Sequence, residues 1–185
     1  EIQFALMQEA GFQRLIDSGK FEDLSDDLLD AILEEAAKLA TDVIAPASWD
    51  GDQKGCQLSE DGVKVPESFK QAYTKYVEGG WPTLAAPSAY GGQGLPAVVN
   101  LAFSEMSSSA NMAFSMYPGL THGCYSAIHV GGSDAQKALY LPKLASFQWA
   151  GTMNLTEPHC GTDLGLLRTK AVPQADGTYK ITGQK

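Results

Sequence analysis

Apolar residues return at helical intervals along most of the chain, then give way to short β-branched runs divided by turn residues. In "FALMQEAGFQRLI", Phe4, Leu6, Met7, Phe12, Leu15 and Ile16 predict a first helix, stopped near Gly19. The stretch "LSDDLLDAILEEAAKLATDVIAPAS" predicts a second. Ser25 is placed to cap it, Asp26 and Asp27 suit the positive end of the helix dipole, and Leu28, Leu29, Ile32, Leu33, Ala36, Leu39 and Val43 form an apolar stripe. Pro46 is expected to end it. "WDGDQKGCQLSEDGVKVP" reads as a loop before a third helix from Pro66, which carries Phe69, Tyr73, Tyr76 and Val77 on one side and stops at Gly79-Gly80. Another loop, "WPTLAAPSAYGGQGLP", leads to a long helix from Pro96 to Met116. "GLTHGCYSAIHVG" and "SDAQKALYLPKLA" then add two more, the last capped by Ser133. Six helices in succession imply a bundle.

The pattern changes near Trp149. "WAGTMNLTEP", "LLRTKAVPQ" and "GTYKITGQK" alternate like strands, and Asp176-Gly177 has the chemistry of a hairpin turn. The expected fold is therefore mainly α: an N-terminal helical bundle domain over residues 1–148, then the first strands of an antiparallel β domain over residues 149–185. Three strands cannot close a sandwich or barrel, so the second domain is expected to be incomplete.

Composition narrows the function classes. With 185 residues, 44% of them hydrophobic and 19% charged, the chain can bury a core. Its net charge of -9 argues against a nucleic-acid surface and against docking on anionic membranes, so any anionic ligand must be met locally. Cys56, Cys124 and Cys160 are odd in number and far apart, which suits a reducing compartment; cytoplasm is the expectation. No apolar run is long enough to span a bilayer, and the N-terminus lacks the basic start of a secretory signal.

Several candidate chemistries fail on their residue types. Asp50, Asp52, Gly55 and Asp61 match places of a calcium loop, but Lys54 takes a ligand position and Asp61 replaces the bidentate Glu. "YGGQGL" has neither the preceding strand nor the glycine spacing of a dinucleotide-binding turn, and reads as a tight turn before a helix. His122, Cys124, His129, His159 and Cys160 give no matched pairs of zinc spacing, so no metal site is expected. Ser107, Ser108 and Ser109 lack an evident base and suit a close helix contact. "MNLTEPHCGTDL" is different. A strand-like start breaks at Pro158, and the turn at Gly161 exposes backbone amides without side-chain cover. Fixed amides of this kind can bind a pyrophosphate even in an acidic protein, although an ordinary β-turn offers them too.

"MNLTEPHCGTDL", followed by "TKA", "DGTY" and "GQK", resembles the acyl-CoA dehydrogenase signature, in which an apolar-Thr-Glu-Pro run precedes Gly-Ser/Thr-Asp and a Gly-x-Lys end. The likeness extends upstream through "YGGQGL" and "QKALYLPKLASFQWAGTMNLTEP" and so covers most of the chain. Here His159 and Cys160 stand where small residues are common. Within the family, "PHCGTDLGLLRTKA" and "DLLDAILEEAAKLATDVIAP" resemble the subgroup that includes 3-methylmercaptopropionyl-CoA dehydrogenases.

The resemblance implies an N-terminal helical domain, a middle β domain and a C-terminal helical bundle, with FAD held between the last two and a neighbouring subunit of a homo-oligomer. It implies that Met153, Leu155 and Thr156 lie along the flavin, and that Gly161 and Thr162 serve the pyrophosphate or the acyl-CoA, Thr162 also as a substrate contact. The reaction would remove the α-proton of an acyl-CoA thioester and pass the β-hydrogen as hydride to flavin, with electrons going on to a transfer partner. In the family the base is a Glu of the C-terminal bundle, so no catalytic residue is expected in residues 1–185. Glu157 is assigned a structural hydrogen-bonding role instead. The subgroup likeness suggests a short acyl chain, bound beside the helix containing "SEMSSSANMAF". An acyl-CoA oxidase of the same architecture, separable by oxygen uptake, and a non-catalytic flavin or acyl-CoA binding module are the alternatives.

Overall fold

In the computed structural model, which describes residues 1–185, Gly11 divides the first apolar stretch in two. Helix α1 (Ile2–Phe4) runs into a π-helical turn at Ala5–Glu9, and α2 (Gln13–Asp17) follows. Between them Gly11 takes a left-handed backbone with φ +68°, which a right-handed helix cannot accommodate, so the single first helix expected from the pattern is two short pieces.

Helix α3 (Asp26–Leu39) starts where Ser25 predicts: its hydroxyl accepts the Leu28 amide at 3.1 Å. Leu29, Leu33, Ala36 and Leu39 are buried along one stripe. Pro46 does not end the run. A π-helical turn at Ala40–Ile44, closed by the Ala45 amide on the Ala40 carbonyl, resets the hydrogen-bond ladder, so Pro46 falls in the first turn of α4 (Ala45–Lys54), where its missing amide is tolerated. The loop expected after it is also more ordered. Gly55 stops α4, and β1 (Gln57–Ser59) pairs antiparallel with β2 (Gly62–Lys64).

Helix α5 (Glu67–Glu78) begins after Pro66 and ends at Gly79. The next connection folds over two 3-10 turns, Trp81–Thr83 and Ser88–Tyr90, and is tied by the Gln93, Gly94 and Leu95 amides to the Thr83, Ala86 and Leu84 carbonyls, each at 2.9 Å. A Cβ on Gly92 would lie 1.8 Å from the Ala86 oxygen. "YGGQGL" is therefore the tight turn before a helix that the sequence suggests. Helices α6 (Ala97–Ala110) and α7 (Met112–Gly131) meet at Asn111, rather than near Met116. Buried Asn111 accepts the Phe114 amide at 3.0 Å and donates to the Ile44 carbonyl at 3.4 Å, so a tertiary contact sets the break. Helix α7 runs through Pro118, merging two segments that the pattern separates. Helix α8 (Asp134–Ala145) carries the Ser133 cap, completed by Gln136 as a capping box.

The chain forms two compact units, Glu1–Gly151 and Thr152–Lys185. The helical unit buries three apolar clusters. One gathers Ile44, Tyr76, Trp81, Phe103, Phe114 and Phe147, with Trp81 stacked on Phe103 at 4.7 Å between ring centres. A second surrounds Phe12, Leu29 and Val99, and a third Tyr125, Leu141 and Leu144. Burying a side chain such as Leu29 stabilises the fold by roughly 2 kcal/mol. The helical unit ends tightly: the Gly151 amide donates to fully buried Thr121, and a Cβ there would collide with Cys124.

In the smaller unit, β3 (Lys170–Pro173) pairs antiparallel with β4 (Tyr179–Thr182) around the predicted Asp176-Gly177 turn. Asp176 accepts both the amide and the hydroxyl of Thr178, and Gly177 takes φ +82°. "WAGTMNLTEP", expected as a strand, pairs with no other strand, and its backbone joins a bridge only at Glu157. A strand exists only through a ladder, and alternation in sequence does not supply the partner. No helix is long and apolar enough to cross a membrane.

Candidate functional site

Four backbone atoms build the turn. The Glu157 amide donates to the Cys160 carbonyl at 2.9 Å, and the Cys160 amide returns to the Glu157 carbonyl at 3.0 Å. Pro158 and His159 lie at its tip. Gly161 then folds back toward Thr156: a Cβ on Gly161 would sit 3.3 Å from Thr156 Cγ2 and 3.6 Å from its hydroxyl. Two of the candidate residues, separated along the chain by the whole turn, are thus neighbours in space.

Asp163 shapes the adjoining loop. Its side chain accepts the Gly165 amide at 3.0 Å, opening a 3-10 turn over Leu164–Leu166. His159 Nε2 lies 2.9 Å from the Leu166 carbonyl and closes the loop from the other side. The amides of Met153, Leu155, Thr156, Gly161 and Thr162 donate to no acceptor of the chain, and all five residues are exposed. Met153 and Leu155 are 70% and 43% exposed, which leaves apolar side chains beside uncommitted amides. Such a strip suits a ligand with an apolar body and a polar edge. Charge agrees. Glu157, Asp163 and Asp176 are outnumbered in this unit by Arg168, Lys170, Lys180 and Lys185, so the chain's acidity lies in the helical unit.

Glu157 behaves as the hydrogen-bonding residue that the sequence suggests. It is 3% exposed; its carboxylate accepts the Arg168 amide at 2.8 Å and the Thr169 amide at 3.0 Å, and lies 3.2 Å from Lys185 Nζ. The Arg168 amide first, then Thr169 and the Lys185 ammonium, hold its carboxyl at about 2 against the opposing cost of burial. Sequence reasoning missed Lys185, which also donates to the Leu155 carbonyl at 2.8 Å. The Gly-x-Lys end of the motif marks this residue, but nothing local indicates that it reaches back across the loop.

The depressed value fixes a pH dependence. A carboxyl bound more tightly in its charged form stabilises the fold fully above its unfolded value, about 4.5, and progressively less as pH falls toward about 2. Hydrogen exchange at the Arg168 and Thr169 amides, corrected for intrinsic rates, is expected to show constant protection above pH 4.5 and loss of protection below it. Glu157→Gln keeps one acceptor oxygen and loses the other, so one of the two amides should lose its protection at neutral pH.

Glu157, His159 and Cys160 bring possible metal-ligating atoms within 4.8 Å of one another. The donor set does not suit a cation: two amides occupy the carboxylate and an ammonium stands beside it, so a metal would displace the contacts that build the turn. The calcium-like pattern is dispersed, with Asp50 and Asp52 on α4 and Asp61 in the β1–β2 turn. All three cysteines are free.

Residues 26–148 match the family profile described as "Acyl-CoA dehydrogenase, N-terminal domain". Over its whole length the chain is 43% identical to the 3-methylmercaptopropionyl-CoA dehydrogenase of Ruegeria pomeroyi and covers 32% of that protein. A butyryl-CoA dehydrogenase of Syntrophomonas wolfei is 35% identical, again over the whole chain and over 31% of the relative. Among solved structures, the acyl-CoA dehydrogenase of Bacillus anthracis complexed with FAD matches with a TM-score of 0.67 and 27% identity, covering 88% of this chain and 26% of that one. The chain thus spans about a third of the length of the curated relatives it matches. With the helical unit matched across most of its length and the relatives aligned through the turn, the chain belongs to the acyl-CoA dehydrogenase family.

Proposed function

We propose that the complete protein is an FAD-dependent acyl-CoA dehydrogenase, and that residues 1–185 contribute one edge of its flavin site. The observation that carries this is the strip Met153–Thr162, where uncommitted amides at Thr156, Gly161 and Thr162 lie beside exposed apolar side chains. These residues fit the group. Met153 and Leu155 would lie along the flavin ring, the Thr156 amide and hydroxyl would meet its polar edge, and the Gly161 and Thr162 amides would meet the pyrophosphate or the acyl-CoA. Thr162 is also assigned a substrate contact. FAD, when bound, supplies the acceptor for the β-hydrogen as the thioester becomes the 2,3-enoyl-CoA.

This chain's own residues bind and orient. The amides act as fixed donors, needing no reorganisation to meet negative charge. Glu157 is unsuited to take the α-proton. Its lone pairs are engaged, it is buried, and a carboxyl held at about 2 is a weak base at neutral pH. The base is assigned to a carboxylate elsewhere in the complete protein. An electron-transfer partner, assembly as a homo-oligomer and a cytoplasmic location complete the reading.

In this reading the acyl chain would lie beside the segment "SEMSSSANMAF", which spans the end of α6 and the start of α7. Ser108 and Ser109 on α6 are small enough to leave room, whereas Ser107 is buried in the close contact with Ser115 of α7; half-buried Met106 and exposed Met112 offer an adaptable apolar surface. Acyl-CoA-dependent dye reduction by the complete protein is therefore expected to fall from short to long chains. A clear preference for palmitoyl-CoA over C4 to C6 thioesters would contradict the short-chain assignment.

A further inference from the structure

The strip Thr152–Thr156 has no β-ladder to hold it, yet it must keep a fixed shape if it is to serve as the flavin edge proposed above. Lys185 supplies the fastening. Its ammonium donates to the Leu155 carbonyl at 2.8 Å and lies 3.2 Å from Glu157 Oε1. The same carboxylate accepts the Arg168 and Thr169 amides, so one buried group gathers three stretches of chain that are distant in sequence. His159 Nε2, 3.6 Å from Oε2, and Lys185 are the ionisable groups that face it.

Peptide geometry turns this fastening into an orientation. The Leu155 carbonyl and the Thr156 amide belong to one planar trans peptide, in which C=O and N–H point in opposite directions. Drawing the oxygen toward Lys185 therefore aims the Thr156 N–H away from Lys185. Glu157, the next residue, anchors the turn that carries the Gly161 and Thr162 amides. We propose that Lys185 and Glu157 are a coupled pair of positioning residues for the cofactor edge: Lys185 sets the direction of the Thr156 amide, and Glu157 sets the turn that presents Gly161 and Thr162. This rests on the flavin reading of the strip.

The test uses the full-length protein and its Lys185→Met, Lys185→Arg, Glu157→Gln and Lys185→Met/Glu157→Gln variants. FAD affinity is measured by titrating flavin-free protein and following flavin fluorescence, with far-UV circular dichroism to establish folding. Removing one charged hydrogen-bond partner is expected to weaken FAD binding by about 10- to 100-fold in folded Lys185→Met and Glu157→Gln. Lys185→Arg should recover most of the affinity, since a guanidinium can reach both oxygens. The double variant should be little worse than the weaker single one, because the two act as a unit. A purely structural role would lower the unfolding temperature and leave the affinity of the folded protein unchanged. The Lys185 side chain is 29% exposed, so Lys185→Met carries the test if Glu157→Gln does not fold. Folded Lys185→Met that binds FAD within about threefold of the parent, less than the cost of one charged hydrogen bond, would overturn the positioning role. A parent that holds no FAD would overturn the flavin reading and this role together, whereas equally tight parent and variants overturn only this role.

Discussion

Residues 1–185 produced alone are expected to show no acyl-CoA-dependent dye reduction, even with FAD added, under conditions where the full-length protein turns over. The α-proton needs a base, and the one carboxylate within the strip Met153–Thr162, Glu157, is buried, engaged by two amides and held at about 2. Flavin affinity should fall as well. The amide contacts remain, but Met153 and Leu155 stand 70% and 43% exposed and offer only one apolar wall. Leaving on the order of 150 Å² of an apolar ring in water forfeits roughly 4 kcal/mol. That corresponds to several hundredfold in affinity. Purifying both polypeptides side by side and measuring bound flavin and dye reduction checks the two effects. A short polypeptide that retains stoichiometric FAD and oxidises any acyl-CoA would place both the site and the base within these residues.

Gly161→Val in the full-length protein is expected to lose most of its flavin while keeping its helices. At Gly161 a Cβ alone would lie 3.3 Å from Thr156 Cγ2, tight enough that the neighbour must give by a few tenths of an ångström. Valine adds two branches to that contact. They would either push Thr156 out of place or stand over the Gly161 and Thr162 amides, where a phosphate would approach. A loss of tenfold or more in FAD affinity, about 1.4 kcal/mol, is the expected size. Gly161→Ala should cost distinctly less. The three apolar clusters of the helical unit contain no residue beyond Phe147, so far-UV circular dichroism should be preserved. A Gly161→Val protein that purifies fully yellow would remove Gly161 from the site.

What the sequence made legible was local. Ser25 and Ser133 cap the helices they precede because a cap depends on residues two or three positions away. The Asp176-Gly177 hairpin follows from the same short range. The misread boundaries involve geometry that composition does not display. Pro46 looks like a stop until a π-helical turn shifts it into the first turn of α4, and Asn111 breaks α6 from α7 with help from the Ile44 carbonyl, far away in sequence. At the candidate site, the exposed turn and the structural duty of Glu157 could be read from the motif. The partners of Glu157 could not. Two backbone amides and Lys185 converge on it from across the loop, and no periodicity records that convergence. The strip Thr152–Thr156 shows the converse: it has strand-like alternation and no ladder, and is fastened by a side chain instead.

The most direct test of the central claim is anaerobic titration of the full-length, FAD-loaded protein with butyryl-CoA, following the yellow flavin absorbance. If the chain supplies one edge of an acyl-CoA dehydrogenase flavin site, the absorbance should bleach as thioester is added, and 2,3-enoyl-CoA should appear in proportion to the flavin reduced. A protein that binds FAD yet keeps its full absorbance with butyryl-CoA and with longer and shorter thioesters, forming no enoyl product, would contradict the claim.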